Sequence, residues 1–175
     1  MVLDPPLQLG TMLFSTAALL AATLLPSLAL AAPQGSKHNV YLVSCEPNEC
    51  PIGECEPGDF TITAAAYFAN GPVAEGNPRV TPTALGKISG YLPKWEGTKR
   101  SIRLGSNGSF SSNIGAKSSS LKYGDIAGDA TLGTEPFACF KDGKEKFQIT
   151  DDGDRYTCTT DYWCASVSAG SLARM

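Results

Sequence analysis

The stretch Phe137-Ala-Cys-Phe-Lys-Asp-Gly-Lys-Glu-Lys-Phe-Gln-Ile149 is the clearest local unit of the chain. Two apolar-rich runs flank Asp142-Gly143, a pair suited to a two-residue type I′ turn, because both central positions of that turn need positive φ. Pairing outward from the turn predicts a β-hairpin that sets Phe140 and Ala138 opposite Glu145 and Phe147, with Ile149 one step further on. These residues share one face, the predicted core face, and Cys139, Lys146 and Gln148 take the other. Cys139 is then left to bond across an edge or toward a covering loop.

The same vocabulary recurs on either side. Val40-Tyr-Leu-Val43 leads into Cys45, and Phe60-Thr-Ile-Thr63 runs on through three alanines to Tyr67-Phe68, stopped by Asn70-Gly71-Pro72. Ser101-Ile-Arg-Leu104 and Ser109-Phe-Ser-Ser-Asn-Ile114 read as a hairpin about the Gly-Ser-Asn-Gly turn at 105–108. Residues 125–132 alternate, and 155–160 and 162–167 are rich in aromatic and β-branched residues. Residues 70–98, with Pro72, Pro78, Pro82 and Pro93, predict a long irregular loop broken by a short strand at 87–92. Lys117-Ser-Ser-Ser120 reads as a flexible loop. No long window carries apolar residues at i, i+3, i+4 and i+7 without a Gly or Pro interruption. Seven or eight short strands predict an all-β fold, a single-domain antiparallel sandwich or small barrel.

The N-terminus reads as an address. An apolar run from Met12 is broken by Pro26, and Ala29-Leu-Ala31 supplies the small-x-small pattern of a signal-peptidase site. The expectation is a signal peptide over 1–31 and a secreted domain over 32–175. The segment lacks a basic n-region, so initiation at Met12 would put a free amine at the head of the apolar run. A transmembrane anchor is the rival reading, which Pro26 and the cleavage pattern disfavour.

Export sets the reading of the six cysteines, which form two triplets: Cys45, Cys50 and Cys55, then Cys139, Cys158 and Cys164. In an oxidising compartment an even number predicts disulfides. Three cysteines cannot all pair among themselves, so if all six pair within one chain, one or three bridges must join the triplets. The ends of the secreted chain should then lie side by side. Zinc held by Cys45, Cys50, Cys55 and His38 is the competing reading, but the spacing lacks a C-x2-C unit.

Composition limits the function classes. The 175 residues are 42% hydrophobic and 18% charged, with a net charge of −3. Nucleic acid or an anionic membrane would demand a basic excess, so neither is an expected partner. One histidine, His38, sits near the predicted new N-terminus and reads as an exposed tail residue rather than a catalytic base. No G-x-S-x-G elbow is present. Asp151, Asp152 and Asp154 could offer carboxylates to calcium, or two of them could serve a glycosidase, but the Asp-Asp-Gly-Asp run reads first as a solvated turn. Lys94-Trp95-Glu-Gly-Thr-Lys-Arg100-Ser-Ile-Arg103 gathers basic residues about a tryptophan. Trp95, with Tyr91 and the cations Lys94, Arg100 and Arg103, is a candidate ligand surface, against the reading that Trp95 folds back as core. Trp163 reads as core packed over a disulfide. Asn107-Gly-Ser109 is an N-glycosylation sequon on a predicted turn.

Taken together, the Ala-x-Ala cut followed by Ala32-Pro33, the short chain and the even cysteine set on a β-rich body resemble the small secreted cysteine-containing proteins of fungi. That resemblance implies an effector-like, elicitor or wall-associated role in the host apoplast, and it carries no catalytic residues across. The expected function is therefore non-enzymatic binding to a host or cell-wall protein or glycan, without cofactor or metal, by loops 70–98 and 105–120. Alternatives are a carbohydrate-binding module, a small hydrolase using Asp and Glu carboxylates such as Asp152 and Asp154, and a protease inhibitor.

Overall fold

β-Branched and aromatic runs separated by Gly, Pro and Asp turns resolve into strands throughout the computed structural model, which describes residues 36–50, 53–54, 56, 58–74, 79–89 and 93–168. The predicted leader, Cys55 and Tyr91 lie outside the described residues. The strands are β1 (Asn39–Pro47), β2 (Ile62–Phe68), β3 (Ala84–Ile88), β4 (Arg100–Arg103), β5 (Ser109–Ile114), β6 (Ile126–Leu132), β7 (Glu135–Lys141), β8 (Lys146–Asp151) and β9 (Asp154–Ser166). They pair antiparallel in the order β3-β2-β1-β9-β7-β6-β5-β4, with β8 on β9. The predicted hairpin of β4 and β5 is present, from Arg100↔Ser112 to Arg103↔Ser109. The short strand expected at 87–92 lies earlier, at Ala84–Ile88.

The two ends of this path meet, so the sheet is a nearly closed barrel. Gly86 on β3 faces Ile102 and Leu104 beside β4, and a Cβ there would stand 2.8 Å from the Arg103 carbonyl oxygen. A residue without a side chain lets the two edges approach. Val40, Leu42, Phe110, Ile114, Phe137 and Tyr162 fill the interior. The opposite face of β1 and β2 carries a second core, with Tyr41, Val43, Ala64 and Ala66 under Phe147 and Ile149 of β8. Tyr41, Phe68 and Phe147 meet edge to face with centroids 5.5 to 6.0 Å apart, worth about 0.5–1.5 kcal/mol a pair beyond area burial. Burial on both faces explains the unbroken apolar runs of β1 and β2.

The predicted hairpin over 137–149 is not formed. β7 and β8 both run along β9, from Phe137↔Ser166 to Lys141↔Tyr162 and then from Lys146↔Thr159 to Asp151↔Asp154. Between them the chain bulges rather than reverses. The Asp142 carboxylate accepts the Lys144 and Glu145 N–H groups at 2.8 and 3.1 Å, while the Asp142 and Gly143 N–H groups donate to Asp161 and Thr160 carbonyls of β9. The reversal comes at Asp152-Gly153, where φ is 51° and 94°. The acidic run is thus a tight turn, as its residues suggested, and Lys87 Nζ bonds Asp151 at 2.7 Å and Asp152 at 3.2 Å. Without the hairpin register, Cys139 lies inward with Phe137, and Phe140 lies outward against Trp163.

The two C-terminal runs form one strand, β9, with a register shift opposite Leu42 and Val43 that leaves Asp161 unmatched. This bulge exchanges the faces, so Cys158 belongs to the outer core and Cys164 to the inner. Each is bonded to the residue directly across from it: Cys158 to Cys45 on β1, and Cys164 to Cys139 on β7. One described bridge therefore joins the two triplets. Cys50 is disulfide-bonded as well. The Cys45–Cys158 bridge has a sequence separation of 113, for which the chain-entropy model gives about 4–5 kcal/mol.

Two segments expected to be loose are held. His38 is half-buried, its Nδ1 at 2.9 and 3.0 Å from the Glu135 carboxylate oxygens, and the Ser166 hydroxyl donates to the same carboxylate at 2.5 Å. The partner lies 97 residues away, beyond any local reading. Ser118–Ser120 forms a 3-10 turn instead of a flexible loop, anchored where the buried Ser118 hydroxyl donates to the Ala127 carbonyl at 2.9 Å.

Candidate binding cleft at one end of the barrel

A strand that leaves the barrel core exposes its last inward side chains to the barrel mouth. Val40 and Leu42 of β1 are interior, so two residues on, Ser44 reaches the rim. On the neighbouring strand the β9 bulge turns Asp161 to the same rim, and the Ser44 hydroxyl donates to the Asp161 carboxylate at 2.7 Å. Thr61 and Thr63, beside and within β2, continue this wall. The Thr63 hydroxyl donates to the Pro93 carbonyl at 3.2 Å. That bond ties the segment leading into β4 across the mouth.

That segment supplies the facing wall. Glu96 forms a parallel bridge to Ile114, and the Gly97 N–H donates to the Ile114 carbonyl at 2.9 Å. Trp95 is thereby pressed into the barrel at 2% exposure, and Glu96 receives a short hydrogen bond from the Tyr162 hydroxyl. Ala116 and Ser119, from the turn after β5, close the side. The result is a cleft of about 490 Å³ between strand ends and two loops. Those loops belong to the two stretches, 70–98 and 105–120, expected to form a recognition surface.

Charge in the cleft is arranged unevenly. Burial pushes the Asp161 carboxyl above its ordinary range; the Ser44 hydrogen bond and the Lys141 charge oppose the shift, and Glu96 adds to it. Lys141 Nζ donates to the Asp161 carbonyl at 3.0 Å and lies 4.6 Å above the Tyr162 ring. The Trp95 indole N–H is buried without a partner at hydrogen-bond geometry, yet it is close enough to the Asp161 carboxyl to favour its charge. Burial, and then the Glu96 hydrogen bond, hold the Tyr162 phenol far above its ordinary range, so it stays a donor.

Of the residues singled out from sequence, Trp95 and Lys94 reach this cleft. Trp95 offers no exposed ring face, so the stacking role expected of it is replaced by a place in the barrel core. Arg100 Nε donates to the Lys94 carbonyl at 2.9 Å and shapes the loop, while Arg103 is exposed on β4. Asn107 is exposed on the 3-10 turn at Gly105–Asn107. Asp151, Asp152 and Asp154 belong to the β8–β9 turn and line no part of the cleft. Among the described residues no group of three or more His, Cys, Asp or Glu side chains is placed to hold a metal ion, and no helix is long and apolar enough to cross a membrane. Sequence reasoning missed Glu96, Asp161 and Ser44. Asp161 left one trace, a lone acid interrupting the strand pattern between residues 160 and 162. Compared with known proteins, the chain matches no family model, no curated protein and no solved structure.

Proposed function

We propose that this protein is a secreted, non-enzymatic binding protein of the extracellular or host-apoplast space, and that it binds with the barrel-end cleft. The observation that carries the reading is the meeting of the 93–97 and 116–119 loops across one cleft on a rigid, disulfide-fastened wall. Loops held by a scaffold are the usual seat of recognition, and buried disulfides accord with an oxidising environment. The exposed sequon at Asn107 stands on the β4–β5 turn, where a glycan would be accommodated.

Ser119 is exposed on the cleft rim, so Ser119→Trp fills the opening without touching the core. Retention of the native protein on a panel of wall polysaccharides and host surface proteins is expected to fall at least about tenfold in this variant, equal to about 1.4 kcal/mol. Equal retention of the two proteins on every surface would overturn the reading. A small hydrolase is the second reading. The carboxyls it would use are Glu96 and Asp161, which share the cleft, rather than the turn acids Asp152 and Asp154.

A further inference from the structure

We infer that the cleft takes the end of a neutral saccharide, gripped through its hydroxyls between Asp161 and Glu96; this rests on the cleft being the binding surface. Its volume, about 490 Å³, is that of a small-molecule site rather than a seat for a folded partner. The lining excludes an apolar ligand. The Ser44 and Thr63 hydroxyl protons go to Asp161 and Pro93, but Asp161, Glu96 and the exposed Ser119 line the cleft, and an apolar occupant would strip water from these groups and return no hydrogen bond.

Charge narrows the class further. An anion entering the cleft meets two carboxyls. A cation gains little, because Lys94 stands on the rim and Lys141 already lies behind Asp161. A neutral ligand avoids both conflicts. Ionised carboxylates only accept hydrogen bonds, whereas ammonium groups only donate. The occupant meets the carboxyl oxygens of Asp161 and Glu96 and the ammonium of Lys94, and a hydroxyl, which both donates and accepts, suits all three. One Glu96 oxygen is occupied by Tyr162 and one Asp161 oxygen by Ser44, which fixes both carboxyl planes before any ligand arrives. The indole N–H of Trp95 is buried against the Asp161 carboxyl and favours its charge, although it falls short of full hydrogen-bond geometry, so its resonance reports on whatever meets that carboxyl.

The two tryptophans make the test internally controlled, because the Trp163 indole N–H is bonded to Asn39 at 2.9 Å, on the outer face. The folded protein is titrated with cellobiose, laminaribiose, chitobiose, mannobiose and xylobiose, and with digalacturonate and a glucosamine dimer as charged counterparts, following both indole resonances by nitrogen–proton correlation NMR. The expected result is that at least one neutral sugar shifts the Trp95 signal and leaves the Trp163 signal in place. Glu96→Gln, which keeps an acceptor for Tyr162, should weaken that sugar at least about tenfold. If only the charged sugars move the Trp95 signal, or none does while Ser119→Trp abolishes retention on the panel, the neutral-saccharide assignment falls and the cleft reading stands. If a neutral sugar moves it and Ser119→Trp leaves retention unchanged, the saccharide site stands and the cleft is not what holds the protein to those surfaces.

Discussion

Asp161 sits where burial works against its charge. Its partners act from every side: Ser44 on β1 and Lys141 on β7 favour the charge, whereas Glu96 from the facing loop opposes it. The net shift is upward, so the folded pKa exceeds the unfolded one. Ionisation in the fold then costs stability above the folded pKa, and that stability returns as pH falls toward the ordinary carboxylate range. Asp161→Asn keeps an acceptor for Ser44 and removes the charge. The variant is expected to melt above the native protein at neutral pH, with the gap closing as pH is lowered toward about 4. Thermal unfolding across a pH series checks this, and a gap that does not change with pH contradicts it. The same residue marks the limit of sequence reading. An aspartate between Thr160 and Tyr162 gives no sign that a bulge opposite Leu42 and Val43 will carry it to the rim, beside a glutamate from a distant loop.

At the level of elements, two Asp-Gly pairs of identical turn chemistry adopt different roles. Asp152-Gly153 reverses the chain because Asp151 and Asp154 are paired across it, with both central residues at positive φ. Asp142-Gly143 has only its glycine there, because β9 is long enough, at 13 residues, to pair both flanking segments end to end. Local propensity thus identified where the chain could turn, and the ladder decided where it did. The same competition moved Cys139 from the outer face to the inner. Strands with strong local signals, β1, β2 and β5, were legible because their apolar residues are buried where the pattern placed them, whereas in β6 a register shift between Ile126 and Gly128 leaves Ile126 exposed. Gly153→Ala is expected to lose about 1–2 kcal/mol in urea unfolding, since φ of 94° is strained for alanine. Gly153→Asn should lose less, because asparagine tolerates the left-handed region. Equal stability of the native protein and the alanine variant would mean that this turn does not hold the register of β8.

Across the whole molecule, the cysteine count carried further than any motif. With all six cysteines paired within the chain, parity requires a bridge between the triplets, and the described one joins β1 to β9, the two strands that bring Ser44 and Asp161 to the cleft wall. The cleft itself was not legible, since its walls come from residues 44, 61–63, 93–96, 116–119 and 161, brought together only when the barrel curls nearly closed. The covalent tie is therefore the point on which scaffold and binding surface both depend. Peptide mapping of the unreduced, folded protein tests it most directly. Fragments linking Cys45 to Cys158, and Cys139 to Cys164, are the predicted result. Cys45 joined to a cysteine of its own triplet, or recovered as a free thiol, would contradict the account.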